Sequence, residues 1–187
     1  MAITDFTKPT PIVADYLGRL SPGDALDIGA GNGRNTLYLA GLGWSVDALD
    51  TDASAVDYIN KLALQKDLGA VASLQDFTKH DTPKKYNAIV CLMTLHFMSP
   101  HEVTLAIEWI KNHTKPGGIV TISGFNIHNP KGTRPYLFGT NELRRLFADW
   151  SISHYDNNDT SSVIDTKTQV VHTYYITRIV AQKPSSN

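Results

Sequence analysis

LDIGAGNGRN, residues 26–35, is the stretch that decides the fold. It begins with apolar residues typical of a buried strand, passes through Gly29, Gly31 and Gly33, and continues into a helical pattern. Glycine lets a backbone turn sharply and approach a ligand closely. A strand, a glycine-rich turn and a helix in this order predict a βα unit whose loop holds a nucleotide-like ligand. A tight turn that uses its glycines for packing alone is the alternative.

The spacing of these glycines narrows the class of ligand. Dinucleotide-binding loops carry the fingerprint G-x-G-x-x-G, whereas this chain has G-x-G-x-G followed by Arg34 in place of the third glycine. A pyrophosphate is held by the exposed amides of a helix N-terminus. A nucleoside without phosphate needs only room for its ribose and amino-acid parts. The loop therefore favours a phosphate-free nucleoside and disfavours nicotinamide-dependent hydride transfer, which remains a third hypothesis.

Acidic residues follow the next two predicted strands. Asp50 ends the strand that comes after the glycine loop, where a carboxylate can accept hydrogen bonds from both ribose hydroxyls. Asp76 and Phe77 follow the third strand. We expect Asp76 to accept a hydrogen bond from an adenine amino group while Phe77 packs beside the ring. For Asp76, an acid on a surface turn is the alternative.

Outward from this stretch, strand and helix patterns alternate along the chain. We predict strands at residues 25–28, 46–49, 71–74, 88–95, 119–122, 150–155 and 170–181, with turns at 115–118 and 156–159. Helical patterns cover residues 11–20, 37–42, 53–64, 100–113 and 141–147. This order predicts an α/β fold, a doubly wound and mostly parallel sheet with helices on both faces and a C-terminal antiparallel hairpin. We expect a single domain over residues 1–187, with an N-terminal helix region at 1–20 and a loop at 126–139.

Composition and charge exclude several classes of partner. The net charge of −1 offers no broad basic field for nucleic acid. No segment reaches the roughly 20 apolar residues that a membrane-spanning helix needs. The single cysteine, Cys91, stands in an apolar run, which predicts a buried thiol and a cytoplasmic, reducing environment. The histidines form no metal-binding signature, so we expect no metal.

Five segments in sequence carry a resemblance to a known family. LDIGAGNGRN, VDALD, LQDF, YNAIVCLMTLHFM and KPGGIVTI, between about residues 22 and 125, resemble the class I S-adenosylmethionine-dependent methyltransferases. The resemblance implies a seven-stranded sheet, a methyl donor lying over the carboxyl ends of the strands, and S-adenosylhomocysteine as product. It also implies that Asp27 contacts the methionine part of the donor or orders the glycine loop. The expected donor-binding residues are Asp27, Gly29, Ala30, Gly31, Gly33, Arg34, Asn35, Asp50, Thr51, Asp76, Phe77 and Met93.

A narrower resemblance covers most of the chain. NGRN, LHFM, KPGG and RPYLFGTNELRRLFADWSISHYDN are similar to segments of the TehB-like tellurite-resistance methyltransferases. That family implies a small acceptor, such as a reduced or oxyanionic tellurium or selenium species. Its His-Arg pair and a further Arg would fall within residues 160–171, where this chain reads TSSVIDTKTQVV. His172 and Arg178 lie nearby but out of register, so a thiol, amine or carboxylate metabolite remains an alternative acceptor.

Three residues are candidates for handling the acceptor. His96 follows the fourth predicted strand, where a neutral histidine could take a proton from a hydroxyl or amine. A histidine that binds a loop carbonyl is the alternative there. His128 and Arg134 lie in the loop at 126–139, and an arginine could attract an anionic acceptor. The sequence thus predicts a small-molecule enzyme, monomeric or homodimeric, with a catalytically silent donor-binding module as the competing hypothesis.

Overall fold

The computed structural model describes residues 8–132, 134–164 and 171–185. Within these residues the strands are β1 (Asp24–Ile28), β2 (Ser45–Asp50), β3 (Ala70–Leu74), β4 (Tyr86–Leu92), β5 (Thr114–Phe125), β6 (Ser151–Ile164) and β7 (Val171–Gln182). The helices are α1 (Pro11–Tyr16), α2 (Arg34–Gly41), α3 (Ala53–Gln65), α4 (Pro100–His113) and α5 (Glu142–Leu146), with 3-10 turns at Phe77–Lys79 and Leu95–Phe97.

The strands described form one sheet in the order β3-β2-β1-β4-β5-β7-β6. Strands β1 to β5 pair in parallel, whereas β7 runs antiparallel to β5 and β6 antiparallel to β7. This topology confirms the predicted doubly wound sheet and its C-terminal hairpin. The chain moves outward from β1 to β3 and then returns to β4 on the other side of β1. Such a reversal opens a crevice at the carboxyl ends of the strands.

Helices cover both faces of the sheet, and each face has its own apolar core. Side chains of a strand alternate between faces, so Leu26 packs in the core under α4 and α5 while its neighbour Ala25 packs in the core under α1, α2 and α3. Cys91 is buried, as predicted. No helix in the described ranges is both long and apolar enough to cross a bilayer.

Asp27 connects the central strand to the helix that follows the glycine loop. Its side chain is buried, and Oδ2 accepts a hydrogen bond of 2.6 Å from the Thr36 hydroxyl in α2. Burial raises the pKa of the Asp27 carboxyl to about 6, against the lowering effect of the Thr36 hydrogen bonds. Asp27 therefore orders the βα unit from beneath the loop.

The predicted turn at residues 156–159 is wrong, because this segment lies inside β6. Asn157 and Asn158 form a bulge opposite Thr177 of β7, between the pairs Asp156–Arg178 and Asp159–Ile176. Asn157 is buried in the bulge, and its carbonyl accepts a hydrogen bond of 2.9 Å from Asn126 Nδ2. Tertiary partners thus satisfy polar groups that the sequence alone assigned to a solvent-exposed turn.

Other boundaries also differ from the prediction, among them those of β5, β4 and α1. β5 begins at Thr114 and absorbs the turn predicted at 115–118 as a register shift between its pairings with Tyr86 and Ala88. The fourth strand, predicted to reach residue 95, ends at Leu92, and a 3-10 turn follows. α1 ends at Tyr16, earlier than the predicted residue 20. Residues 1–7 of the N-terminal helix region and residue 133 of the loop at 126–139 lie outside the described residues.

Replacing Leu26 with alanine tests the central core. Leu26 is 0% exposed on the middle strand of the parallel part, so Leu26→Ala leaves a cavity and should lower the free energy of unfolding by about 2–5 kcal/mol. Leu64→Ala is the matched control, because Leu64 is 85% exposed and its truncation should change stability by less than about 0.5 kcal/mol. Urea unfolding followed by circular dichroism measures both, and equal effects would contradict the assignment.

Asp27→Asn tests the buried carboxyl. Because the folded-state pKa of Asp27 is raised to about 6, ionising it costs stability: its contribution is fully present below pH 4 and is lost as the pH rises through 6. Asparagine can still accept the Thr36 hydrogen bond and carries no charge. The variant should therefore gain about 3 kcal/mol relative to wild type between pH 4 and pH 7.5. Urea unfolding at both pH values measures this gain, and a pH-independent difference would contradict it.

Candidate functional site

A pocket of about 510 Å³ lies at the carboxyl ends of β1, β2, β3 and β4. We call it the glycine-loop pocket. Its lining comprises Ile28, Gly29, Gly31, Leu49, Asp50, Thr51, Gln75, Asp76, Phe77, Met93, Thr94, Phe97 and Met98. It occupies the crevice created by the reversal of strand order, which is where open α/β sheets bind ligands.

The three loop glycines have different physical roles. All three adopt positive φ, with values of 69° at Gly29, 54° at Gly31 and 73° at Gly33. A Cβ on Gly29 would overlap the Thr94 side chain, and one on Gly33 would overlap Ile59. A Cβ on Gly31 would meet no atom within 4 Å. Gly29 and Gly33 thus allow close packing, whereas Gly31 leaves open space in the pocket.

Asp50 fixes the loop to the end of β2. Its Oδ2 accepts a hydrogen bond of 2.7 Å from the Gly31 N–H, and its Oδ1 accepts one of 2.9 Å from the Asp52 N–H. A carboxylate offers about four lone-pair sites, so both oxygens can still accept a hydrogen bond from a ligand. The residue therefore combines a structural role with an acceptor function at the pocket wall.

Asp76 and Phe77 form the wall beyond β3. Asp76 Oδ1 accepts hydrogen bonds from the Thr78 N–H at 3.0 Å and the Thr78 hydroxyl at 2.7 Å, and these contacts lower the pKa of Asp76. Phe77 is buried and meets Trp109 edge to face at 5.3 Å between ring centroids. The wall thus presents an ionised carboxylate beside an aromatic ring held in place by packing.

Not all of the predicted donor-binding residues line this pocket. Asp27, Ala30, Gly33 and Asn35 lie outside its lining, and Arg34 lies in a neighbouring cavity. Asn35 is buried and its Oδ1 accepts a hydrogen bond of 2.8 Å from the Thr10 N–H, so it anchors the start of α1. Gly29, Gly31, Asp50, Thr51, Asp76, Phe77 and Met93 do line the pocket.

The neighbouring cavity has a volume of about 380 Å³. We call it the arginine cavity, because it is lined by Thr10, Arg34, Leu92, Met93, Ser123, Phe125, Arg134, Ser161, Tyr174, Ile176 and Arg178. The two spaces share Met93, whose φ of 57° is unusual for a residue with a side chain. The Met93 N–H donates to the Ser123 carbonyl at 2.9 Å, which fixes this residue between the two spaces.

His96 lies beneath the arginine cavity. Its ring is 2% exposed and stacks on Phe125, with 4.4 Å between centroids, and it lies outside both linings. Burial, followed by the charge of Arg134, lowers the pKa of His96 to about 4. The imidazole is therefore neutral at physiological pH, but Phe125 stands between it and the cavity.

The other two predicted acceptor residues separate in the structure. Arg134 lines the arginine cavity, and its guanidinium carbon lies 5.2 Å from the ring centroids of both Phe97 and Phe125. His128 is exposed, 5.9 Å from the Tyr175 ring, and belongs to neither lining. The structure thus brings Arg134, but not His128, to the cavities.

Several lining residues were missed by the sequence analysis. Gln75 and Thr94 line the glycine-loop pocket, and Thr10, Ser123 and Tyr174 line the arginine cavity. Thr10 carries no local signal, because tertiary contacts, including the hydrogen bond to Asn35 and the packing of Ile12 and Val13, bring α1 to the cavity. The alternation of β7 is the available signal for Tyr174, since it places Tyr174, Ile176 and Arg178 on one face.

Comparison with known proteins gives consistent matches. A family model described as "Tellurite resistance protein TehB" matches residues 5–173. A protein of Haemophilus influenzae described as "Probable S-adenosyl-L-methionine-dependent methyltransferase TehB" is 28% identical over 149 residues, which cover 78% of this chain and 52% of that relative. The chain thus spans about half the length of the curated relatives it matches.

Solved structures extend this likeness to three dimensions. The crystal structure of TehB from Haemophilus influenzae superposes with a TM-score of 0.84 at 26% identity, covering 92% of this chain and 61% of that one. The 1,6-didemethyltoxoflavin-N1-methyltransferase of Burkholderia thailandensis, solved with S-adenosylhomocysteine, has a TM-score of 0.68 at 24% identity, covering 93% of this chain and 76% of that one. The second likeness shows a shared fold. Because the matching family model spans well over half of the sequence, the chain belongs to the TehB family of tellurite resistance proteins.

Proposed function

We propose that the protein is an S-adenosylmethionine-dependent methyltransferase that transfers a methyl group to a small molecule. The observation that carries this proposal is the meeting of two cavities at Met93, one built on the glycine loop and one lined by arginines. A transferase for two small substrates needs two adjoining sites of this kind.

The residues of the glycine-loop pocket fit the donor. Asp50 can accept hydrogen bonds from the ribose hydroxyls, Asp76 can accept one from an adenine amino group, and the space over Gly31 can admit the amino-acid part. Among the described residues that line it there is no lysine or arginine, a composition that suits a cationic, phosphate-free nucleoside and disfavours a pyrophosphate. When bound, S-adenosylmethionine would supply a methyl group already activated by a sulfonium sulfur.

The relatives support the same activity. The Haemophilus influenzae relative carries the description of a probable S-adenosylmethionine-dependent methyltransferase, and the Burkholderia thailandensis methyltransferase was solved with S-adenosylhomocysteine. A ubiquinone biosynthesis O-methyltransferase of Rickettsia typhi is 29% identical over 114 residues. These relatives favour a methyltransferase over a nicotinamide-dependent oxidoreductase.

This chain's own residues have two tasks in such a reaction. The glycine loop and Asp50 hold the donor, the arginine cavity holds the acceptor, and Met93 lies where the two sites meet. Orienting two reactants at close range and excluding water supplies several kcal/mol of a transfer barrier. Phe125 covers His96, so a proton transfer to His96 would require this ring to move.

The lining of the arginine cavity supports a proposal about the acceptor. Arginines in the lining favour an anionic acceptor, for which a tellurium or selenium oxyanion is the candidate suggested by the family. The competing hypothesis is a donor-binding module without turnover. We include in the proposal a cytoplasmic location, a monomeric or homodimeric state, and no nucleic-acid or membrane partner.

Donor binding and turnover together test this function. Calorimetric titration with S-adenosylhomocysteine should show binding. In a separate assay, the protein receives S-adenosylmethionine with selenite, tellurite, a small thiol, an amine or a phenol in parallel reactions, and S-adenosylhomocysteine should be released with one class of acceptor. Binding without any release would favour the silent module. Failure to bind would overturn the assignment of the glycine-loop pocket.

Replacing Asp50 tests the donor site. Asp50→Ala removes an acceptor from the pocket and frees the Gly31 N–H, so S-adenosylhomocysteine binding should weaken by about 1–3 kcal/mol. Asp57→Ala is the control, because it removes the same charge from an exposed position on α3, outside the pocket lining. Calorimetric titration measures the affinity of both variants for S-adenosylhomocysteine, and equal affinities would show that Asp50 does not contribute to donor binding.

A further inference from the structure

The arginine cavity contains buried hydroxyl groups that lack a partner in the described structure. Thr10 Oγ1 and Ser123 Oγ are both buried without a hydrogen bond, and both residues line the cavity. An unpaired buried polar group destabilises the folded state. Most buried polar groups in native proteins are paired, so each unpaired one calls for an explanation, such as an additional bound molecule. The two hydroxyls are therefore consistent with a ligand that carries polar atoms.

The charge of the lining determines the sign of that ligand. Arg34, Arg134 and Arg178 line the cavity, and its lining includes no aspartate, glutamate or histidine among the residues described. Guanidinium groups bind carboxylates through paired hydrogen bonds in a fixed planar geometry. The cavity is thus suited to an organic acid.

The size of the cavity distinguishes an organic acid from a bare oxyanion. A water molecule takes up about 30 Å³ of liquid volume, and an inorganic oxyanion has only a few heavy atoms. The cavity of about 380 Å³ is far larger and falls within the range of pockets that hold whole metabolites. Met93, Phe125 and Tyr174 contribute apolar surface to its wall, which an inorganic ion would leave unused.

We propose that the acceptor is a small organic thiol that carries a carboxylate, held in the arginine cavity with its sulfur toward Met93. This inference rests on the proposed function and specifies the substrate class of the acceptor site. A thiol fits because the lining supplies no general base, and nearby arginines lower the pKa of a thiol so that it arrives as thiolate. The thiolate sulfur gains the carbon–sulfur bond as the methyl–sulfonium bond breaks, and that electron pair stays on the donor's sulfur, so no proton moves.

Asp159 is the positioning residue of this site. It forms an ion pair with Nε of Arg178, which leaves the two terminal nitrogens of the guanidinium for the carboxylate. The bulge at Asn157 and Asn158 brings Asp159 to this contact, although Asp156 is the residue in register with Arg178. Asp159 does not line the arginine cavity; it lines a neighbouring space with Asp15 and Asp156 that Arg178 also lines, so it would act on the acceptor through Arg178.

The experiment compares two thiols that differ by one carboxylate, 2-mercaptobenzoate and thiophenol, with selenite as the oxyanion probe. We expect kcat/KM for S-adenosylhomocysteine release to be at least about tenfold higher with 2-mercaptobenzoate than with thiophenol or selenite. Arg178→Met should remove most of this preference while S-adenosylhomocysteine binding persists, and Arg178→Lys should restore part of it. Persistence of donor binding shows that each variant is folded.

The positioning role of Asp159 is tested by the direction of the KM change. Asp159→Asn should raise KM for 2-mercaptobenzoate and leave KM for thiophenol unchanged, because Arg178 loses its orientation. A purely electrostatic role predicts the opposite, since removal of a negative charge would lower KM for an anion. Asp156→Asn is the matched control, because Asp156 lies on the same strand and its Oδ1 accepts from the Asn158 N–H instead.

A binding measurement separates this inference from the proposed function. Calorimetry with S-adenosylhomocysteine present should show binding of the methylated product 2-(methylthio)benzoate and much weaker binding of thioanisole. If S-adenosylhomocysteine binds but 2-(methylthio)benzoate does not, or if selenite is the better acceptor, the inference is overturned and the donor site stands. If S-adenosylhomocysteine itself does not bind, the proposed function fails.

Discussion

The hydrogen bond from the Gly31 N–H to Asp50 is the contact on which the site depends. It joins the loop after β1 to the end of β2, at the edge of the crevice. Gly29 can turn only because it has no side chain to meet Thr94. Buried Asp27 holds the following helix from below through Thr36. These contacts fix the loop between β1 and α2, while the side of Gly31 where a Cβ would lie faces open space.

The two cavities on either side of Met93 have opposite electrostatic character. The glycine-loop pocket presents Asp50 and Asp76, whereas the neighbouring cavity presents arginines. On the proposed function, the acids would stabilise a sulfonium cation and the arginines an anionic nucleophile. Each substrate would then be held where the other is disfavoured, because like charges repel. The acids of one cavity and the arginines of the other would thus direct each of the two small reactants to its own site.

Local sequence patterns were sufficient to predict those residues of the glycine-loop pocket that lie at or just after the ends of strands. The glycines, Asp50 and Phe77 all follow strand ends, and the edge of a parallel sheet brings such positions together whatever the detailed packing. The arginine cavity was less accessible to prediction, because Thr10, Ser123 and Tyr174 meet there through long-range contacts. His128 shows the opposite case. It lies in the loop at 126–139, where the sequence suggested an acceptor-handling residue, but it lines neither cavity.

The bulge of β6 shows why such errors concentrate at this end of the fold. Its sequence, Asp-Asn-Asn-Asp, has the composition of a turn, because these side chains readily bond to a nearby backbone. In the folded chain, Asn126 and Tyr155 provide hydrogen bonds to Asn157 that a turn would take from solvent. The strand therefore continues, and the extra residue redirects Asp159 toward Arg178. Local propensity was outweighed by tertiary hydrogen bonds, and the same bonds determine where an arginine of the acceptor cavity lies.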